Sequence, residues 1–266
     1  MSRLQVVFDK ARAEDRGVLI GCMPAGFPTV EHGIDSMLAM VSAGVDIVEV
    51  ELAYSDPVMD GPVIQRASEI ALAGGVRTTD VIRSVEAVAS RGGSVILMTY
   101  WNPIERYGVE RFARDFAAAG GAGIVTPDLI PDEAGEWIAA ADTYDLDKIF
   151  LVAPSSTDTR IAMTAAASRG FVYATSVMGV TGARDQTSNA APGLVERVRA
   201  TSDIPVGVGL GVRDGAQAAA VASYADAIIV GSALIRCVLD APDPHSGRQA
   251  LSALTTELAE GVRAKR

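Results

Sequence analysis

The chain has 266 residues, 49% of them apolar, a formal charge of −10 and an isoelectric point near 4.7. That length suits one large α/β barrel of ~250 residues, and the acidity excludes the basic surface that nucleic acid or an anionic membrane demands. Two cysteines, Cys22 and Cys237, are too few for a disulfide framework, and neither has a Cys or His at metal-ligand spacing; a metal-free cytoplasmic protein is expected.

Segment 2–13 is amphipathic, lacks the apolar core of a signal peptide and is expected to plug the bottom of a barrel. No apolar stretch reaches the ~18 residues of a membrane span. Val- and Ile-rich runs follow at 18–23, 45–51, 94–99, 123–127, 149–153, 171–175, 205–208 and 226–230. Most are continuously apolar, as parallel strands buried on both faces are. Helical-length stretches such as 63–73, 109–118, 132–141 and 214–222 lie between them. This alternation predicts an α/β fold, a single (β/α)8 TIM barrel over 1–266 with an extra N-terminal helix and elaborated barrel-top loops. The longest interval, between the second and third strands, opens on a Pro/Gly/Asp-rich loop of the kind used as lid, binding loop or partner contact. His32 and His245 lie in polar stretches and read as exposed and inert.

Three glycine-rich turns follow late strands: Gly179-Val180-Thr181-Gly182, Gly209-Leu210-Gly211 and Gly231-Ser232-Ala233. Glycine lets backbone N–H groups approach an anion, and a following helix adds the positive end of its dipole. A single turn of this kind is often only a tight strand-to-helix connection. Three in series point to a phosphate clamp on a barrel rim, and so to a small phosphate ester as substrate. Oriented N–H groups bind an anion without a lysine or arginine. The polar stretch 184–191 reads as a lid over this clamp.

Glu49 lies near the end of the second strand, and Asp60 on the loop beyond it, within Glu49-Val-Glu-Leu-Ala-Tyr-Ser-Asp-Pro-Val-Met-Asp60-Gly-Pro-Val-Ile-Gln65. An acid at the C-terminal end of a barrel strand faces the pocket, although a solvated or ion-paired strand-end acid fits the position equally. The segment resembles the alpha chain of tryptophan synthase. So do Pro24-Ala-Gly-Phe-Pro-Thr29, Met98-Thr-Tyr-Trp-Asn-Pro-Ile104, Tyr107-Gly108, Pro127-Asp-Leu129 and Ala153-Pro154, which extend the likeness over nearly the whole chain. Indole-3-glycerol-phosphate synthase, a related barrel, needs a lysine acid at a strand end, and Lys10, Lys148 and Lys265 are not placed for it.

The resemblance implies cleavage of indole-3-glycerol phosphate to indole and glyceraldehyde 3-phosphate in tryptophan biosynthesis. By similarity Glu49 is the acid–base, Asp60 binds the indole N–H and stabilises positive charge growing there, and Tyr173 helps position Glu49. Phosphate is expected on the N–H groups of Gly182, Gly211, Gly231 and Ser232, with the Ser232 hydroxyl adding a bond. Cys22, Met98, Tyr100, Thr181 and Leu210 are expected in the substrate pocket. The resemblance further implies a chain that is monomeric when isolated, lacks a cofactor of its own and joins a beta-chain dimer in an alpha2-beta2 complex. Pyridoxal phosphate would belong to the beta chain. The alternatives are a stand-alone indole-releasing paralogue and a catalytically weak, phosphate-ester-binding regulatory partner.

The chain departs from the family at two positions. Glu-x-Gly-x-Pro is the family's usual pattern, whereas Glu51 stands at the glycine and Ala53 at the proline. Residues 49 and 51 share a strand face, so either the two acids approach and titrate together or Glu51 turns away to another partner. Ala53 removes a fixed φ angle and is expected to loosen the loop.

Overall fold

The computed structural model describes residues 2–175, 190–209 and 211–264. Burial with a period of two organises the strands. In β1 (Val18–Pro24) and β2 (Ile47–Glu51), Ile20, Cys22 and Ile47 join an inner apolar cluster, while Leu19, Met23, Val48 and Val50 join an outer one. Helices cover the outer face, so both faces are apolar and the sequence runs are continuous. The remaining strands are β3 (Ser94–Met98), β4 (Gly123–Val125), β5 (Asp147–Ile149), β6 (Leu151–Val152), β7 (Val172–Thr175), β8 (Val206–Gly209) and β9 (Ala227–Val230).

Among the described residues the strands pair in parallel, in the order β5-β4-β3-β2-β1-β9-β8-β7-β6. The two ends of that order, β5 and β6, are one run of chain interrupted at Phe150, so the sheet closes into the expected (β/α)8 barrel. The Phe150 carbonyl still accepts from the Tyr173 N–H at 3.0 Å. This strand starts at Asp147, two residues before the expected 149, because charged Asp147 and Lys148 break the apolar pattern. Asp147 is nevertheless fully buried and accepts from Ser2 Oγ and, at 2.6 Å, from Arg169 Nε. The fourth strand ends at Val125 rather than 127; Pro127 has no N–H for a ladder.

The helices are α1 (Arg3–Ala13), α2 (Val30–Ala43), α3 (Pro62–Ala73), α4 (Thr78–Ala89), α5 (Trp101–Tyr107), α6 (Val109–Ala118), α7 (Gly135–Thr143), α8 (Asp158–Ala167), α9 (Ala190–Arg199), α10 (Gly215–Ala222), α11 (Ser232–Leu239) and α12 (Pro244–Arg263). The stretch expected as one helix over 132–141 is a 3-10 turn at Pro131–Glu133 followed by α7. Side chains of Thr29, Thr157, Asp214 and Asp243 accept backbone N–H groups at the starts of α2, α8, α10 and α12, fixing where those helices begin. α1 does plug the barrel: Leu4, Phe8 and Ala11 are buried in the inner cluster, with the Phe8 and Phe171 rings 5.8 Å apart. α3 and α4 occupy the long interval between β2 and β3. His245 is exposed, whereas His32 is part-buried, its ring 3.2 Å from the Thr29 hydroxyl. Among the described residues no helix is long and apolar enough to cross a membrane.

Candidate active site

The register of the first three strands assembles the acids. Cys22 on β1 lies opposite Glu49 on β2, and Glu51 lies opposite Met98 on β3. Because 49 and 51 are two apart, both carboxylates enter the barrel at its C-terminal end, where they are 1% and 5% exposed. Glu51 therefore does not turn away. The Cys22 thiol donates to Glu49 Oε1 at 3.1 Å, whereas Oε2 of Glu49 and Oε2 of Glu51 are buried without a hydrogen-bond partner among the described residues. Burial lifts the Glu49 carboxyl to about 7, against the lowering effect of the Cys22 hydrogen bond. Glu51 is held well above the usual carboxylate range, first by burial and then by the charges of Glu49 and Asp60.

Asp60, on the loop between β2 and α3, is also buried. Its Oδ1 accepts from the Tyr100 hydroxyl at 2.6 Å, and that hydroxyl in turn accepts from the Met59 N–H at 3.0 Å. Burial raises the Asp60 carboxyl, and the Tyr100 bond opposes the rise. Tyr100 immediately precedes α5, and its ring lies 5.4 Å from that of Tyr54, whose hydroxyl accepts from Asn102 Nδ2 at 2.9 Å. Tyr100 was expected only as a pocket residue; its bond to Asp60, 40 residues away, leaves no spacing signal in the sequence.

Tyr173 projects from β7 and is part-buried. Burial, followed by the charges of Glu49, Cys22 and Glu51, holds its phenol well above the ordinary value, so it lies near the acids, although its hydroxyl is not hydrogen-bonded to Glu49. Gly209 of β8 makes room for it, since a Cβ at 209 would sit 2.7 Å from the Tyr173 hydroxyl oxygen. Met98 is part-buried beside this inner cluster.

Two of the three glycine turns fall within the described residues in whole or part. Gly231 directly follows β9, and α11 starts at Ser232 with no side chain capping its N-terminus. The first N–H groups of α11 are thus left for a ligand. Ser232 is buried at 8% exposure. Gly211 adopts φ +67°, the left-handed region that glycine tolerates. Helix α10 is different: Asp214 already caps it by accepting from the Gln217 N–H at 2.8 Å, so the second turn offers its own backbone rather than a helix end. Thr181, Gly182 and Leu210, and residues 184–189 of the expected lid, lie outside the described residues; Ala190 and Ala191 begin α9.

The described part of the site thus gathers the buried carboxyls of Glu49, Glu51 and Asp60 with the Cys22 thiol, and the uncapped start of α11 follows the last strand of the barrel. The family model of the tryptophan synthase alpha chain matches residues 8–263. A tryptophan synthase alpha chain of Salinispora arenicola is 68% identical over 263 residues, covering 99% of this chain and 98% of that one. That of Nocardia farcinica is 62% identical over 262 residues, with 98% and 96% covered. Among solved structures, a tryptophan synthase of Mycobacterium tuberculosis matches with a TM-score of 0.93 at 60% identity, covering 98% of each chain. A tryptophan synthase subunit alpha of Legionella pneumophila matches with a TM-score of 0.86 at 32% identity, again covering 98% of each.

Proposed function

The chain belongs to the tryptophan synthase alpha-chain family, and from that premise we propose how its pocket works and what it works with. It is a carbon–carbon lyase of tryptophan biosynthesis, cleaving indole-3-glycerol phosphate to indole and glyceraldehyde 3-phosphate as the alpha subunit. Cleavage needs a proton delivered to indole C3 and a proton removed from the glycerol hydroxyl on the attached carbon. Glu49 in its acid form gives the first, leaving an indolenine with positive charge on nitrogen. The resulting carboxylate takes the hydroxyl proton as the carbonyl forms. The carbon–carbon bond breaks in that same step, its electron pair returning to the ring and restoring indole. One proton is given and one recovered, so Glu49 ends as it began.

The observation that carries this assignment is the burial of Glu49, which sets its carboxyl at about 7 and lets both forms exist near neutral pH. Asp60 accepts the indole N–H and stabilises the charge on nitrogen; Tyr100 occupies Oδ1 and leaves Oδ2 for this contact. Tyr173 limits the room around Glu49 by packing rather than by a hydrogen bond. The phosphate sits on the N–H groups of Gly211, Gly231 and Ser232, with Gly182 completing the cradle and the Ser232 hydroxyl donating to it. Cys22, Met98, Thr181 and Leu210 line the indole side.

The pocket needs no cofactor of its own. The partner is a tryptophan synthase beta chain, which carries pyridoxal phosphate and receives the indole in an alpha2-beta2 complex; the isolated chain is a monomer, working in the cytoplasm. Val58, 67% exposed on the loop after β2, and Ile130, 47% exposed beyond β4, place apolar side chains at the barrel's C-terminal end, as a docking face there requires. The test is indole release from indole-3-glycerol phosphate by the purified chain, alone and with the beta chain. Release should rise with the beta chain, and Glu49→Gln should lower it by roughly 10²–10⁴-fold. Release indifferent to the beta chain would indicate a stand-alone indole producer; no release with substrate still bound would indicate a regulatory barrel.

A further inference from the structure

Cys22, Glu49 and Glu51 bring a thiol and two carboxylates together from adjacent strands, one donor atom of each within 4.8 Å of the others. All three are buried, at 2%, 1% and 5% exposure. One hydrogen bond among the described residues serves the whole group, from the Cys22 thiol to Glu49 Oε1. Among the described residues Oε2 of Glu49 and Oε2 of Glu51 have no hydrogen-bond partner, and no lysine or arginine pairs with either acid. A buried acceptor left unpaired is unfavourable, and more so when charged, so the group is short of a positive centre. There is space beside it: a Cβ built on Gly231 would stand 3.7 Å from Cys22 Sγ and 3.8 Å from Glu51 Oε1, and glycine leaves that volume open.

We propose that Cys22, Glu49 and Glu51 form a binding site for a thiophilic divalent cation, with the chemistry of Zn²⁺, and that the bound cation silences Glu49. One sulfur and two carboxylate oxygens are a donor set for zinc, which accepts three protein ligands with a fourth position left to water. Mg²⁺ and Ca²⁺ prefer sites made wholly of oxygen. On binding, Cys22 releases its thiol proton, and Glu49 and Glu51 the carboxyl protons they hold, to solvent; the sulfur and one oxygen of each carboxylate then bond the metal, and nothing is oxidised or reduced. Glu51 supplies the third ligand at the position where the family pattern has glycine. Once Glu49 is bound to the cation it cannot carry the proton to indole C3. This silencing rests on the lyase assignment, whereas the binding does not.

The experiment uses the full chain, stripped with a chelator and titrated with cobalt(II) chloride. A thiolate-to-cobalt charge-transfer absorption should appear, saturate at one equivalent and vanish on adding zinc chloride. It should be lost in Cys22→Ser and kept in Cys237→Ser. Cobalt affinity should fall by at least roughly tenfold in Glu51→Gln, the low end of what even supporting residues of metal sites cost. Thermal melts check that each variant folds; if Cys22→Ser does not, Glu51→Gln and Cys237→Ser still decide. No absorption in the unaltered chain overturns the site and leaves the acids held by protons alone. Absorption that survives Cys22→Ser or disappears in Cys237→Ser, or unchanged affinity in Glu51→Gln, overturns it as well. Equimolar zinc should abolish indole release and a chelator restore it; full release at saturating zinc overturns the silencing. The cobalt readout needs no turnover, so a failed lyase assignment would appear as absent indole release with binding intact.

Discussion

Glu49 and Glu51 share one face of β2 and one water-poor pocket, and this pairing governs how the protein responds to pH. A carboxyl whose folded pKa lies above its unfolded value binds more protons folded than unfolded in the interval between them. The stability it contributes is fully present below the unfolded value and falls as pH rises through the folded one. For Glu49 that window runs from 4.5 to about 7, and for Glu51 it extends further up. Replacing Glu51 with Gln removes the group that resists ionising. In the presence of a chelator, Glu51→Gln should melt higher than the unaltered chain, by about 2–4 °C for each kcal/mol relieved, and by more at pH 8 than at pH 5. Thermal melts at the two pH values check this; an equal gain at both would assign the effect to packing instead. Catalysis feels the same group from the other side. In the mechanism proposed above cleavage starts with the proton on Glu49, so kcat/KM in metal-free buffer should decline as pH rises through about 7. A kcat/KM that keeps rising from pH 6 to pH 9 would show that the protonated form of Glu49 is not the one that starts cleavage.

At the scale of elements, close approach of two helices sets a requirement that neither helix reveals alone. A Cβ on Gly261 of α12 would overlap the Gly215 carbonyl of α10, and one on Gly215 would fall 2.6 Å from the Glu257 carbonyl oxygen. These are backbone atoms, so the helices must separate to admit a methyl group. Gly261→Ala gains ~1 kcal/mol of helix propensity and loses ~1–3 kcal/mol or more to overpacking. The loss wins, and the melting temperature should fall by several degrees. Gly193→Ala in α9 has nothing within 4 Å of the new methyl and should instead raise it slightly; a matching fall in both variants would refute the crossing argument. The strands could be read from sequence because burial on both faces writes an unbroken apolar run. The start of the fifth strand at Asp147 could not, since Asp147 is satisfied by Ser2 and Arg169 from distant parts of the chain and Lys148 by Asp142. The site divides in the same way. Glu49, Asp60 and the glycine turns stand in motifs, and shared strand parity foretold that Glu51 could face Glu49. The Cys22–Glu49 and Tyr100–Asp60 bonds depend on strand register and loop path, which local spacing does not encode.

The whole molecule carries a formal charge of −10, yet its substrate is a phosphate ester and also an anion. In the binding mode proposed above, affinity comes from short-range contacts, the N–H groups of the glycine turns and the uncapped start of α11, working against a long-range field of the wrong sign. The two contributions respond differently to salt. Screening shrinks the Debye length from roughly 30 Å at 0.01 M to roughly 8 Å at 0.15 M, which removes most of the repulsion between protein and approaching substrate. Short-range hydrogen bonds to the bound phosphate are far less affected. Raising sodium chloride over that range should thus increase kcat/KM, through association, while leaving kcat nearly unchanged. Enzymes that steer an anion with lysine or arginine show the opposite slope. If kcat/KM instead falls steeply with salt, a cationic side chain must guide the phosphate, and the backbone cradle would be the lesser part of the site. The same acidity bears on the beta chain: a partner surface complementary to this one would be basic at its rim, and association of the two chains should weaken across the salt range in which substrate capture improves.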